Sequence, residues 1–134
     1  MKLILKPGLL LLLSVFFFSC NTDPVELADH DWKVTSLSGS PASKGDLSKL
    51  SLVFKEGKEI GGFAGCNNYR GGANYNQEQI QFSTLYTDNS SCELDQLEER
   101  FLSNLESSEK YSYYAGKLVL QDESGNILIE LEQI

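Results

Sequence analysis

The sequence predicts an α+β domain in which a small, curved, barrel-like antiparallel β-sheet packs against one amphipathic α-helix. Short apolar segments bounded by glycine, asparagine, serine and proline lie on both sides of a single stretch with apolar residues at helical spacing. The chain has 134 residues, and removal of a 19-residue leader leaves 115. That length is usual for one domain with one hydrophobic core.

The first twenty residues have the pattern of a bacterial lipoprotein signal. A positively charged start, MKLILK, precedes an apolar stretch at residues 9–18, and Ser19 supplies a small residue before Cys20. The apolar stretch is too short, and too soon followed by polar residues, for a transmembrane helix. We therefore predict a signal peptide at residues 1–19 and lipidation of Cys20, which becomes the N-terminus.

Lipidation predicts where the protein is located. Each buried methylene contributes about 0.8 kcal/mol, so two or more acyl chains hold a protein on a bilayer. The membrane is then the first partner, and we expect a lipid-anchored protein of the cell envelope, at the outer membrane. The alternative is an ordinary secretory signal cut near Ser19, which would release the protein.

The chain is strongly acidic beyond the leader. It has 11 Lys and Arg against 19 Asp and Glu, a net charge of −8 that becomes −10 when the leader and its two lysines are removed. Such a chain repels phosphate backbones, and no basic cluster interrupts its sequence. We therefore predict that it binds no nucleic acid.

Two cysteines remain once Cys20 carries lipid. Cys66 and Cys92 are then in an oxidising compartment, where paired thiols usually bond. We predict a disulfide between them that closes a loop of 27 residues. The competing hypothesis starts from residues 90–93, which look like a capping box at a helix start, where a free Cys92 would ionise and react readily.

The first predicted elements are a tether and three strands. Residues 20–31 are polar and contain Pro24, so they read as a tether, and the domain covers residues 32–134. We predict strands at 32–37, 50–54 and 59–64. Alternation places the following residues on one face of each of the first two strands: Trp32, Val34 and Ser36, and then Leu50, Leu52 and Phe54.

Residues 61–72 are dense in glycine. They lack the glycine spacing of a phosphate-binding loop, so we expect the glycines to permit bulges, positive φ angles and close approach between strands. Asn67 and Asn68 suit a tight turn. Two further short strands are predicted at 73–75 and 79–83.

One helix is predicted at residues 93–107. Its apolar stripe consists of Leu94, Leu97, Phe101 and Leu105. Glu98 falls at the margin of this stripe. It is either a partly buried acid in a pocket or a side chain that reaches solvent, and we favour the second interpretation.

In the C-terminal part of the chain we predict a meander of three strands, at 110–115, 117–121 and 127–132. Turns lie at Gly116 and at residues 122–126. The second turn has acidic residues but lacks the spacing and the distal glutamate of a calcium loop, so we predict a hairpin turn.

Several segments, in this order, resemble the META domain of HslJ-like, heat-shock-related proteins. They are WKVTSL at 32–37, GCNNYRG at 65–71, residues 84–92 before the helix, and KLVLQD at 117–122. The resemblance covers about residues 29–134, and residues 84–92 are more polar here than in the family. It implies a sheet rolled toward a barrel with one packed helix, an exported or lipid-anchored protein linked to envelope stress, and no established enzymatic activity.

The residues agree with a protein that is not an enzyme. His30 is the only histidine and lies in the predicted tether, so a histidine-based triad or metal site cannot be assembled within one chain. Acid pairs such as Glu98 and Glu99 are usual on a solvated helix surface. We predict no catalytic residue, cofactor or metal.

The preferred function is binding of an envelope protein partner, in assembly or stress response. Six tyrosines suit an interface, unless most of them pack in the core. The alternative is a small-molecule or lipid-binding module that uses the interior of the sheet. That alternative fails if the interior is filled by Trp32, Phe54, Phe63, Phe82 and Phe101.

Overall fold

The structure is a computed structural model that describes residues 27–134. The predicted signal peptide and Cys20 lie outside these residues. The described part contains nine strands: β1 Asp31–Leu37, β2 Ser51–Phe54, β3 Glu59–Phe63, β4 Asn68–Tyr75, β5 Ile80–Phe82, β6 Tyr86–Thr87, β7 Lys110–Tyr114, β8 Lys117–Gln121 and β9 Ile127–Gln133. Its helices are α1 Lys44–Leu47 and α2 Asp95–Glu106, with 3₁₀ turns at Leu27–Asp29 and Glu56–Lys58.

The strands form one antiparallel sheet that rolls into a nearly closed barrel. Their order is β5-β4-β3-β2-β1-β9-β8-β7, and β6 pairs with β4. The two ends of this order meet, because Gln79 bridges Lys110 and the Ile80 N–H donates to the Glu109 carbonyl at 3.1 Å. The predicted α+β class, with a curved sheet and one main helix, is confirmed.

Strand β1 differs from simple alternation. Its pairing with β9 shifts register between Val34 and Ser36, as at a β-bulge. The extra residue of the bulge exchanges the inward-facing and outward-facing positions in the rest of the strand. Leu37 is therefore buried, at 5% exposure, and Ser36 is exposed. The expectation that Ser36 shares the face of Trp32 and Val34 is wrong for this reason.

The packed domain begins before the predicted start at Trp32. Leu27 is fully buried, and its carbonyl accepts the indole N–H of Trp32 at 3.1 Å. The His30 ring meets the Trp32 ring edge-on, with 6.0 Å between the centroids. Residues 27–31 therefore belong to the domain, although the prediction assigned them to the tether.

The glycine-rich segment forms more strand than we expected. Residues 68–75 make one continuous strand, β4, instead of a turn followed by a strand at 73–75. Gly71 and Gly72 allow this, since a Cβ on Gly71 would come within 2.6 Å of Leu85. The Gly72 N–H also donates to the Ser83 hydroxyl at 2.8 Å.

The turn at residues 122–126 is a hairpin turn, as predicted. Asp122 accepts hydrogen bonds from the backbone N–H of Asn126 at 2.9 Å and from its side-chain amide at 3.0 Å. The Asn126 side chain, followed by its backbone N–H, lowers the pKa of Asp122. Both carboxylate oxygens are therefore used inside the turn.

Candidate functional site

The site is built around the turn between β3 and β4. Gly62 and Gly65 have φ angles of +154° and +122°. A Cβ on Gly62 would lie 2.2 Å from the Ser51 carbonyl oxygen, so only glycine fits there. A Cβ on Gly65 would contact Leu94 and Glu98 of the helix region, which shows how closely this turn approaches α2.

Glu98 binds the turn directly. Its Oε2 accepts the backbone N–H groups of Cys66 at 2.9 Å and Asn67 at 2.8 Å, and its Oε1 accepts the Asn67 side-chain amide at 2.7 Å. Only 9% of Glu98 is exposed. The expectation that Glu98 reaches solvent is wrong, because α2 lies across the turn and the turn supplies three donors.

Asn67 ties the turn to the segment that precedes α2. Its side-chain amide donates to the Ser90 carbonyl at 2.9 Å, and its Oδ1 accepts the Ser90 N–H at 3.0 Å. The capping box at residues 90–93 does not form: α2 begins at Asp95, and Leu94 at the N-cap makes no side-chain cap. Instead, Asp95 Oδ1 accepts the Cys92 N–H at 2.9 Å.

A disulfide joins Cys66 to Cys92, with 5.6 Å between their Cα atoms. Cys92 is therefore not a free reactive thiol in this structure. The Asp95 carboxylate lies 3.3 Å from the sulfur of Cys66. We call residues 65–67, together with Cys92, Asp95 and Glu98, the stapled turn.

The barrel interior is filled by side chains. A ligand-binding interior was expected to fail if five aromatic residues fill the barrel. Four of them are at most 6% exposed, namely Trp32, Phe54, Phe82 and Phe101. Phe63 is half-buried. Phe101 of α2 packs edge-on against Tyr69 of β4 at 5.7 Å, so the helix closes the core.

A cavity of about 750 Å³ lies at one mouth of the barrel, between Ala28 and the turn that joins β2 to β3. Phe54, Ile60 and Ala73 line its floor, but each is at most 4% exposed. These three residues offer a ligand little further apolar surface, while Tyr75, which also lines the cavity, is half-buried.

The tyrosines divide into packed and exposed groups. Tyr69 and Tyr111 are buried, and Tyr75 and Tyr113 are half-buried. Burial raises the pKa of Tyr69, whose hydroxyl donates to the Ser51 carbonyl at 2.7 Å. The exposed ones are Tyr86 at 60% and Tyr114 at 64%. The tyrosines were expected to suit an interface unless most of them pack, and four of the six do pack, so only Tyr86 and Tyr114 remain exposed for contacts with other molecules.

The outer surface of the barrel carries a row of side chains that crosses five strands. Cross-strand pairing aligns these residues in the order Asp31, Val53, Gly61, Arg70 and Tyr86. Their sequence neighbours Trp32, Leu52, Ile60 and Tyr69 face the core. We call this set the outer row.

Arg70 of the outer row pairs with the exposed ring of Tyr86, and a second basic residue, Lys55, lies beside Gly61 of the row. Arg70 and Tyr86 are directly paired and exposed, and Lys55 Nζ lies 3.3 Å from where a Cβ on Gly61 would be. Within residues 27–134 the one ion pair joins Lys49 to Asp46. Arg70 and Lys55 are therefore both unpaired cations on an acidic domain, a feature that sequence reasoning missed because the row is assembled from five strands.

Comparisons with known proteins agree with this architecture. The sequence profile of the META domain matches residues 25–133. No protein of curated function matches the sequence. Among solved structures, a protein from Burkholderia xenovorans determined by NMR has a TM-score of 0.60 at 20% identity, covering 81% of this chain and 83% of that one.

Two further solved structures share the fold. A crystal structure of a DUF4847 family protein from Bacteroides vulgatus has a TM-score of 0.59 at 11% identity, covering 80% of this chain and 94% of that one. Another NMR structure has a TM-score of 0.61 at 20% identity, covering 81% and 92%. At these identities the likeness concerns the fold. In the part of the chain that the structure describes, neither helix has the length and apolar character to cross a membrane.

Proposed function

This chain belongs to the META domain family, and from that premise we propose that it is a lipid-anchored envelope protein whose domain binds another protein and catalyses no reaction. The anchor is the acylated Cys20, at the outer membrane. The role is in assembly or in the stress response of the envelope. The observation that carries the proposal is the outer row, where an exposed tyrosine lies beside an unpaired arginine on a rigid sheet.

The anchor keeps the domain close to the bilayer. Leu27, the first residue that the structure describes, is seven positions after Cys20. At about 3.4 Å per residue, a fully extended segment of this length spans at most about 24 Å. A partner in the same membrane, or in the adjacent space, is within reach of the outer row.

The composition of the outer row fits protein recognition. Tyrosine and arginine are enriched among residues that contribute most to binding energy. Gly61 lies between Val53 and Arg70 in this row, and the end of the Lys55 side chain lies beside it. Since Arg70 and Lys55 are unpaired, an acidic segment of the partner is the complementary surface.

The other candidate functions have less support. One interpretation of the sequence made Glu98 a partly buried acid in a pocket. In the structure both oxygens of its carboxylate accept hydrogen bonds, three in total, that hold a turn. In residues 27–134 the barrel interior is filled by packed side chains, which supports a carrier function inside the barrel less well, and Phe54, Ile60 and Ala73 in the lining of the cavity are almost fully buried.

We expect a photo-crosslinking amino acid at Tyr86 to capture one enriched envelope protein in living cells. The matched control is the same substitution at Tyr114, which is equally exposed but lies at the β7–β8 turn. Adding Arg70→Glu should lower the yield at position 86 by about tenfold or more, because it places like charges at the interface. Cys20→Ser should move the protein out of the membrane fraction.

Three results would count against this proposal. They are capture of the same proteins from positions 86 and 114, capture that Arg70→Glu leaves unchanged, and recovery of background proteins alone while the anchor is intact.

A further inference from the structure

We propose that reduction of the Cys66–Cys92 disulfide creates a binding site for a thiophilic divalent cation such as Zn²⁺, with Asp95 as the third protein ligand. The two sulfur atoms and a carboxylate oxygen of Asp95 all lie within 4.8 Å of one another. In the oxidised protein both sulfurs are used by the S–S bond, so the site exists only after reduction. The inference depends neither on the lipid anchor nor on a protein partner.

Hydrogen bonds that do not involve sulfur hold both cysteines in place. The Cys66 N–H donates a hydrogen bond to the Glu98 carboxylate, and the Cys92 N–H donates one to the Asp95 carboxylate. Asn67 connects the two sides, since it binds Glu98 through two N–H groups and Ser90 through a reciprocal pair of bonds. None of these six hydrogen bonds uses a sulfur atom, so we expect them to remain when the S–S bond is broken. The two thiols are therefore preorganised beside Asp95.

The donor set matches a soft or borderline cation. Thiolates favour Zn²⁺ over Mg²⁺ or Ca²⁺, and two cysteines with one carboxylate and a water complete a tetrahedral site. The Leu94 N–H lies 3.3 Å from the Cys92 sulfur and would donate to its thiolate. Asp95 Oδ1 accepts the Cys92 N–H and lies 3.3 Å from the Cys66 sulfur, so this carboxylate is already next to the sulfur atoms. Cys92 and Asp95 are exposed and Cys66 is half-buried, which gives a cation access.

Reduction of the disulfide requires a two-electron reductant, and a dithiol can supply both electrons. Two electrons and two protons pass from the dithiol to the Cys66–Cys92 bond, which becomes two thiols while the reductant becomes a disulfide. Binding of the divalent cation to both sulfurs then releases two protons. Affinity should therefore rise with pH over the range where the thiols ionise.

The test uses Co²⁺ as a spectroscopic probe of the purified protein. We expect the reduced protein, freed of reductant without air, to bind one Co²⁺ with a thiolate-to-metal charge-transfer band, and the oxidised protein to show no such band. Asp95→Asn, which keeps the acceptor for the Cys92 N–H, should weaken binding by at least about tenfold. Glu99→Gln is the matched control, an exposed acid of the same helix, and should change nothing.

Several outcomes would overturn the site. The reduced protein could lack the charge-transfer band, or Asp95→Asn could bind Co²⁺ as tightly as the parent chain. Far-UV circular dichroism of the reduced protein supplies a third criterion. Loss of strand and helix signal on reduction would show that the six hydrogen bonds do not keep the thiols in place.

Discussion

Replacement of Glu98 by glutamine is expected to lower the free energy of unfolding by about 2–4 kcal/mol. The carboxylate accepts three hydrogen bonds, from two backbone N–H groups on one oxygen and from the Asn67 amide on the other. A glutamine has one oxygen and one NH₂ group, so in either orientation an NH₂ faces donors. Asn67 cannot turn to compensate, because both ends of its amide are bound to Ser90.

Urea unfolding of the disulfide-intact domain measures this effect. The denaturation midpoint should fall while the slope stays constant, since the extent of the folded domain is unchanged. Glu99→Gln removes the neighbouring charge from an exposed position and should stay within about 0.5 kcal/mol of the parent. Equal midpoints for Glu98→Gln and Glu99→Gln would show that the buried carboxylate does not hold the turn.

Removal of the disulfide, by the double substitution Cys66→Ala and Cys92→Ala, is expected to cost about 3–4 kcal/mol. The bond joins positions that are 26 residues apart, so it closes a 27-residue loop and restricts the unfolded chain. The free energy of unfolding of a domain of this size is about 5–15 kcal/mol, so the variant should still fold at low temperature. Its melting temperature should be lower than that of the parent protein. Urea midpoints of the two forms provide the comparison.

The disulfide and Glu98 hold the same turn, so their effects should be coupled. In the cysteine-free background, Glu98→Gln should lower the free energy of unfolding by at least as much as it does in the oxidised domain, and the protein with both changes should be close to unfolding.

A urea midpoint that does not move when the cysteines are removed would contradict the stabilising role of the disulfide. A reduced domain that unfolds completely would contradict the contribution of the hydrogen bonds.

Local patterns were sufficient for most of the fold. Alternation placed Leu50, Leu52 and Phe54 on one face, and all three are buried. The helical stripe found Leu97, Phe101 and Leu105, which are also buried, although α2 is shorter at both ends than residues 93–107. These features depend on residues a few positions apart, so they are visible in the sequence.

The remaining features depend on distant contacts. Glu98 is 31 residues from Asn67 along the chain, and its position at the stripe margin fits burial and exposure equally well. The shift in β1 is set by pairing with β9, almost 100 residues away. One clue to the Glu98 contact was present: Gly65 marks a turn that lets the helix approach, and an acid on that helix is a suitable acceptor for its N–H groups.

An intact-mass spectrum of the protein purified from its own membrane tests the central claim most directly. We predict the mass of residues 20–134 plus the acyl groups on Cys20, less the two hydrogens lost in the Cys66–Cys92 bond. A mass without added acyl groups, from protein that still carries residues 1–19 or is released in soluble form, would contradict a lipid-anchored, disulfide-bonded binding domain.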